Sequence, residues 1–189
     1  ALERLKGSAD LAVPKNQLQA EEDLKKAYDD GFNNVANVFL ELPGVMSGLE
    51  TILYGRNSSF GGGNQDNLDY YAGAILSFGE DEALVFKKAA AAKYQAARKS
   101  YDKNFTEYKS ASRFWPEAAI ESLIEATYET TKLVAESVKS ANNLIQFYED
   151  QLIKYDGVPA PIADTYLANL TSHTATTNKH LLNLLSVKN

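Results

Sequence analysis

The chain has no cysteine, which removes disulfides, thiolate metal sites and cysteine nucleophiles together. It has only two histidines and a single tryptophan in 189 residues. With so few imidazoles and no obvious pair of buried carboxylates, general acid–base chemistry has few candidates, so neither catalytic residues nor a cofactor is expected. No apolar run approaches the roughly 20 residues that cross a bilayer, and the first residues lack the charged-then-apolar order of a signal peptide. Positive charge is in deficit: 19 Lys and Arg stand against 25 Asp and Glu, giving a formal net charge of −6 and a pI near 5.0. A nucleic-acid partner is therefore not expected, because phosphate neutralisation needs a basic face. The opening on Ala1 rather than Met fits a mature form or a piece cut from a longer protein, and the piece is expected.

Familiar site motifs are missing as well. Gly61, Gly62 and Gly63 are not followed by Gly-Lys-Ser/Thr and no strand precedes them, so they do not form a phosphate loop. His173 and His180 sit seven apart on one helical face, but position 170 is Leu and position 177 is Thr, which breaks the Glu-x-x-His pattern of di-iron bundles. His-Glu-x-x-His is absent too. Both imidazoles read as structural groups flanking the core stripe. Asn64, Asp66 and Asp69 offer oxygens at a spacing that matches no calcium loop. No metal centre is expected.

What is present is a 4,3,4,3 apolar rhythm. From Ile120 it steps through Ile124, Thr127, Thr131, Val134, Val138, Ala141, Ile145, Tyr148, Leu152 and Tyr155, one stripe of a helix with 3.6 residues per turn. An earlier stripe runs Leu24, Tyr28, Phe32, Val35, Phe39 and Leu42, then past Pro43 as Met46, Leu49 and Leu53, predicting a kink or short break at Pro43 with the register kept. Residues 1–13, ahead of Pro14, read as a frayed lead-in. A third stripe, Phe86, Ala90, Tyr94, Ala97, Tyr101, Phe105 and Tyr108, predicts a helix over 81–112. A fourth, Leu167, Leu170, Thr174, Thr177, Leu181 and Leu184, predicts a last helix from about Pro161. The central helices would be on the order of 50 Å long, and helices of that length need lengthwise partners. The expected fold is a single all-α domain over 1–189, an elongated antiparallel up-down bundle of about four long helices. Residues 56–80 would form a Gly-rich distal loop with a short helix.

Charge patterning suggests how two of these helices pair. Residues 81–113 hold eight bases against four acids, and 117–156 hold eight acids against three bases. Folding at 113–116 would bring Lys109, Lys103 and Lys99 level with Glu121, Glu125 and Glu129, the last three a stripe at spacing four that starts at Glu117. Interhelical ion pairing, rather than cation binding, is the expected use of that stripe.

Two regions are candidates for function. Tyr54, Phe60, Tyr70, Tyr71, Phe78 and Tyr155 gather at the glycine-rich end, where aromatic side chains suit contact with a protein partner. Capping of the bundle core is the alternative for these rings. Ser137, Ser140, Thr174 and Thr177 put hydroxyls at intended core positions, which means either close helix packing or a small ligand cavity. Phe114 and Trp115 sit at the opposite end, where Trp could rest at a membrane interface or plug the bundle. The many Tyr, Asn, Ser and Thr with no Cys tilt the composition towards an extracytoplasmic setting.

The opening LERLKGSADLAVPKNQLQAEEDL, Leu2 to Leu24, resembles the start of the coiled-coil hairpin in periplasmic adaptor (membrane-fusion) proteins of bacterial efflux systems. There, a Leu-x-x-Leu-Lys-x-Gly segment precedes helical repeats. The chain departs from that family in its additional helices and Gly-rich tip, and in having neither a lipoyl-like nor a β-barrel domain. The resemblance implies an envelope spacer whose tip touches another protein, and it assigns no individual residue.

Overall fold

A computed structural model describes residues 2–56, 65–78 and 81–188, with side chains described from residue 17 onward. It contains five helices that pack helix to helix: α1 (Leu2–Tyr54), α2 (Asn67–Leu76), α3 (Glu82–Ser110), α4 (Glu117–Lys154) and α5 (Ile162–Lys188). The fold is all-α among the described residues. The expected Gly-rich loop, with Gly61, Gly62, Gly63 and Phe60, lies outside them.

The lead-in expected to fray belongs to α1, which runs unbroken through Gly7, Pro14 and Pro43. Proline removes one backbone donor from a helix, a loss that a helix of 53 residues with a packed second half can bear. Residues 17–27 are all exposed, and burial on α1 starts at Gly31. The reason lies in the neighbours. α4 begins opposite Tyr28, whose hydroxyl donates to Glu121 Oε1 at 2.6 Å, and α5 ends opposite Gly31, beside Val187. Residues 17–27 lie beyond the ends of both neighbours, so Leu24, the first member of the predicted stripe, is 48% exposed.

α4 carries the centre of the core. Its predicted stripe is buried from Ile120 to Tyr148, and a second row, Leu123, Thr130, Ser137 and Leu144, is buried beside it. One stripe would suffice for one partner, but α4 packs on α1, α3 and α5, while α3 and α5 scarcely meet. Along α3 and α4, Phe86 stacks on Phe147, Lys93 reaches Glu136, Ser100 meets Thr130 and Asn104 meets Thr127, so numbers rise on one helix as they fall on the other. The same inversion holds between α1 and α3, through Phe32–Tyr108, Phe39–Tyr101 and Tyr54–Tyr94. It holds again between α1 and α5, through Glu41–Lys179 and Gly31–Val187.

The expected ion-pair ladder is corrected. Glu121 accepts from Tyr28, Glu125 pairs with Lys188 of α5, and Glu129 pairs with Lys132 on its own helix. Lys103 pairs with Glu107, and Lys109 lies over the Phe105 ring. The level was right and the side of the helix was wrong. Burial of Leu123, Thr127 and Thr130 towards α3 turns the glutamate stripe to the α1 and α5 side. The link between α3 and α4 that does form is Lys93–Glu136 at 2.7 Å, exposed and worth about 0–1 kcal/mol.

The α5 seam also differs from the expected one. Its buried positions are Ala163, Tyr166, Leu170, Thr177, His180 and Leu184, with His173 half-buried between Leu170 and Thr177. Leu170, Thr177 and Leu184 are buried as expected, while Tyr166, His173 and His180 stand inward in place of Leu167, Thr174 and Leu181, each one residue earlier. His180 stands in the core seam rather than beside it.

The turn after α4 explains how the chain reverses there. Asp156 has φ 55°, Gly157 N–H donates to Leu152 O at 2.8 Å and Asp156 N–H to Ile153 O at 3.1 Å, the two reverse bonds of a Schellman cap. The left-handed position is filled by Asp156, and Gly157 follows it because a Cβ there would lie 3.0 Å from Leu152.

Candidate functional site

α2 sits across the end of α1 because Asn67 fastens it there. Asn67 N–H donates to Gly55 O at 2.9 Å, and its side-chain amide donates to Thr51 O at 3.0 Å and Ile52 O at 3.2 Å, satisfying carbonyls of the last helical turn. Asp66 caps α2 by accepting from Asp69 N–H at 2.9 Å, and Asp69 pairs with Lys87 of α3. Two of the three oxygen-bearing residues weighed for calcium are thus a helix cap and an ion-pair partner, and Asn64 lies outside the described residues. Among the described residues no group of three or more His, Asp or Glu could hold a metal ion.

The predicted aromatic cluster is divided between core and surface. Tyr71 is fully buried, 5.2 Å from the Tyr148 ring, and Tyr70 packs half-buried 6.0 Å from the same ring. Tyr54 is half-buried against Tyr94 at 5.1 Å. Burial pushes the Tyr71 and Tyr148 phenols above their ordinary range, so both stay neutral. Tyr148 Oη accepts the Ala160 N–H at 3.0 Å and pins the link to α5. These rings cap the core. Glu149, beside them, has its carboxyl raised by burial and by Asp164 and Asp150.

Phe78 and Tyr155 are different. They stack nearly parallel, 4.7 Å apart with 6° between planes, and are 37% and 40% exposed. Lys154 lies 5.0 Å over the Tyr155 ring. Two neighbours in sequence that the spacing argument passed over are exposed as well, Ile153 at 64% and Val158 at 87%. Val158 stands between Gly157 and Pro159 in a turn, and an apolar residue at such a position was the available signal. Phe60 cannot be placed with them, since it lies outside the described residues.

The four hydroxyl positions do not share one enclosed site. Ser137 is fully buried with no hydrogen-bond partner for its Oγ, and Ser140 is half-buried. Thr174 and Thr177 donate to carbonyls of their own helix, at 2.8 Å to Leu170 O and 3.0 Å to His173 O. Both threonines line an open groove between α4 and α5, together with Lys139, Asn142 and Asn178.

At the other end Phe114 is 89% exposed, and Trp115 lies half-buried in a crevice with Leu24, Tyr28 and Arg113. The hydrogen bond to Glu121 pushes the Tyr28 phenol up to about 12. No described helix is long and apolar enough to cross a membrane. Compared with protein families, with curated proteins and with solved structures, the chain matches none.

Proposed function

We propose that the chain is a non-catalytic interaction or spacer module of a cell-envelope protein, an elongated antiparallel up-down bundle that meets a protein partner at its aromatic end. The bundle reading is supported by the inverted contact ladders between α3 and α4, α1 and α3, and α1 and α5. The observation that carries the functional reading is the exposed stack of Phe78 on Tyr155, with Ile153 and Val158, also exposed, close by in sequence on either side of the turn after α4. Apolar and aromatic surface left in water on a rigid support is what a hot spot requires, since little ordering entropy is lost on contact. An extracytoplasmic location follows from composition and from the resemblance of residues 2–24.

A photo-crosslinking residue placed at Val158, with one at Phe114 as control, tests the reading in cells that make the protein. Discrete adducts from 158, lost when Ile153→Asp is added while the helical circular dichroism is unchanged, are expected. Equal or stronger adducts from 114 would refute it.

A sensing bundle with a small ligand between helices is the second reading, and the buried, unpartnered Ser137 hydroxyl is what favours it. It requires polar compounds that raise the melting temperature in the native protein but not in Ser137→Ala.

A further inference from the structure

The only two histidines of the chain occupy the α5 seam one heptad apart, and both contact α1. His180 is 1% exposed, its Nε2 3.3 Å from Glu41 Oε2, and the same carboxylate takes Lys179 Nζ at 2.6 Å on its other oxygen. His173 rests directly on the α1 backbone: a Cβ added at Gly48 would lie 2.2 Å from its Nε2 and 2.9 Å from its Cε1. As neutral imidazoles both rings pack without a counter-ion of their own, although His180 Nε2 then lies buried with no hydrogen bond. Protonated ones do not fit equally well. At 180 the new charge must share Glu41 with Lys179, and at 173 no charged group among the described residues offsets the burial of the ring.

We propose that the α1–α5 seam is an acid-sensitive latch, in which protonation of His173 and His180 below about pH 6 parts α1 from α5 while α3 and α4 stay paired. The α3–α4 contacts have no group that titrates there, since they run through Lys93–Glu136, Ser100–Thr130 and Asn104–Thr127. Opening uncovers the α1 face that runs through Glu41, Val45 and Gly48.

Burial holds both imidazoles below the ordinary histidine value, and at His180 Glu41 opposes that shift while Lys179 adds to it. Among the described residues, Glu41 of α1 and Lys179 of α5 are the charged groups acting on His180, and none comes from α4. With the folded values depressed, the opened seam takes protons first. The latch is therefore at full strength above about pH 6.5 and weakens as pH falls below that. Glu41, held low by the Lys179 hydrogen bond, adds a separate loss at still lower pH.

Hydrogen exchange corrected for intrinsic rates, at about pH 7.5 and pH 5.2, reads the two helix pairs separately. Each histidine changes the opening constant by at most about tenfold per pH unit. The opening constant of α1 amides 42–53 is expected to rise about tenfold or more, that of α3 amides 97–104 less than twofold, and the double variant His173→Gln, His180→Gln to abolish the rise. A flat α1 response, or equal responses in α1 and α3, would overturn the proposal. So would NMR titration of the unmodified protein in which either imidazole titrates at or above about 6.5, a readout that stands even if the variant does not fold.

Discussion

Asn67→Ala tests how the end of α1 is held. Asn67 is fully buried, and its amide must point NH2 at Thr51 O and Ile52 O because both partners are carbonyls. Thr51 O also accepts Gly55 N–H at 3.0 Å, so truncation leaves it partnered. Ile52 O belongs to the last turn, where no i+4 amide of the helix follows, and it loses its donor. An orphaned buried carbonyl costs about 1–3 kcal/mol. Asn67 Oδ1 is itself buried without a partner, so its removal returns part of that. The net cost of Asn67→Ala is then about 1–2 kcal/mol, or roughly 2–8 °C in melting temperature for a chain of this size. Asn67→Asp puts a carboxylate against two carbonyls in a buried site and is expected to cost about 3 kcal/mol or more. Urea unfolding followed by circular dichroism gives both values as midpoint shifts at constant slope. Equal stability of the two variants, or an Ala variant within about 0.5 kcal/mol of the parent, would show that Asn67 is a packing residue and not a clamp.

Asp156→Gly relieves a left-handed residue in the Schellman cap and should raise stability by about 0.5–1 kcal/mol, read from the urea midpoint. Tyr148→Phe orphans the Ala160 N–H and should cost about 1 kcal/mol, with faster hydrogen exchange in the 157–161 link than in α3. Asn104→Leu, by contrast, should stay within about 1 kcal/mol of the parent by the same urea measurement. Thr127 and Thr130 keep partners in Leu123 O and Ser100, so no hydroxyl is stranded. Lys93→Ala removes an exposed pair and should shift stability by less than about 1 kcal/mol, the shift vanishing in high salt.

The α4 stripe was legible from Ile120 to Tyr148 because Ile, Val and Ala fill six of its nine positions, so period and phase are both fixed by the letters. α5 was legible in period and at Leu170, Thr177 and Leu184, but the alternate members of its seam stand one residue earlier than the stripe put them. His and Thr hold its seam, and polar letters at inward positions give no sign of which neighbour column faces the core. The glutamate stripe failed similarly: spacing four puts carboxylates on one line, but which helix that line faces depends on how α4 rolls between three partners. At the aromatic end, composition named the right neighbourhood and could not divide it. Tyr71 and Tyr155 are both tyrosines near turns, one fully buried and the other 40% exposed.

Residue periodicity and helix-stopping residues therefore determined, from the chain alone, that the protein is all-α, with long central helices ending at corners read as 113–116 and 156–160, which the structure widens to 111–116 and 155–161. Those features are local, and local backbone and side-chain preferences settle them. Which rings reach the surface, where both histidines stand and what each glutamate meets were decided only on packing, because each depends on the rotation of one helix about its axis relative to its neighbours. A roll of about half a residue step, roughly 50°, keeps Leu170, Thr177 and Leu184 inside and exchanges Thr174 for His173 and Leu181 for His180.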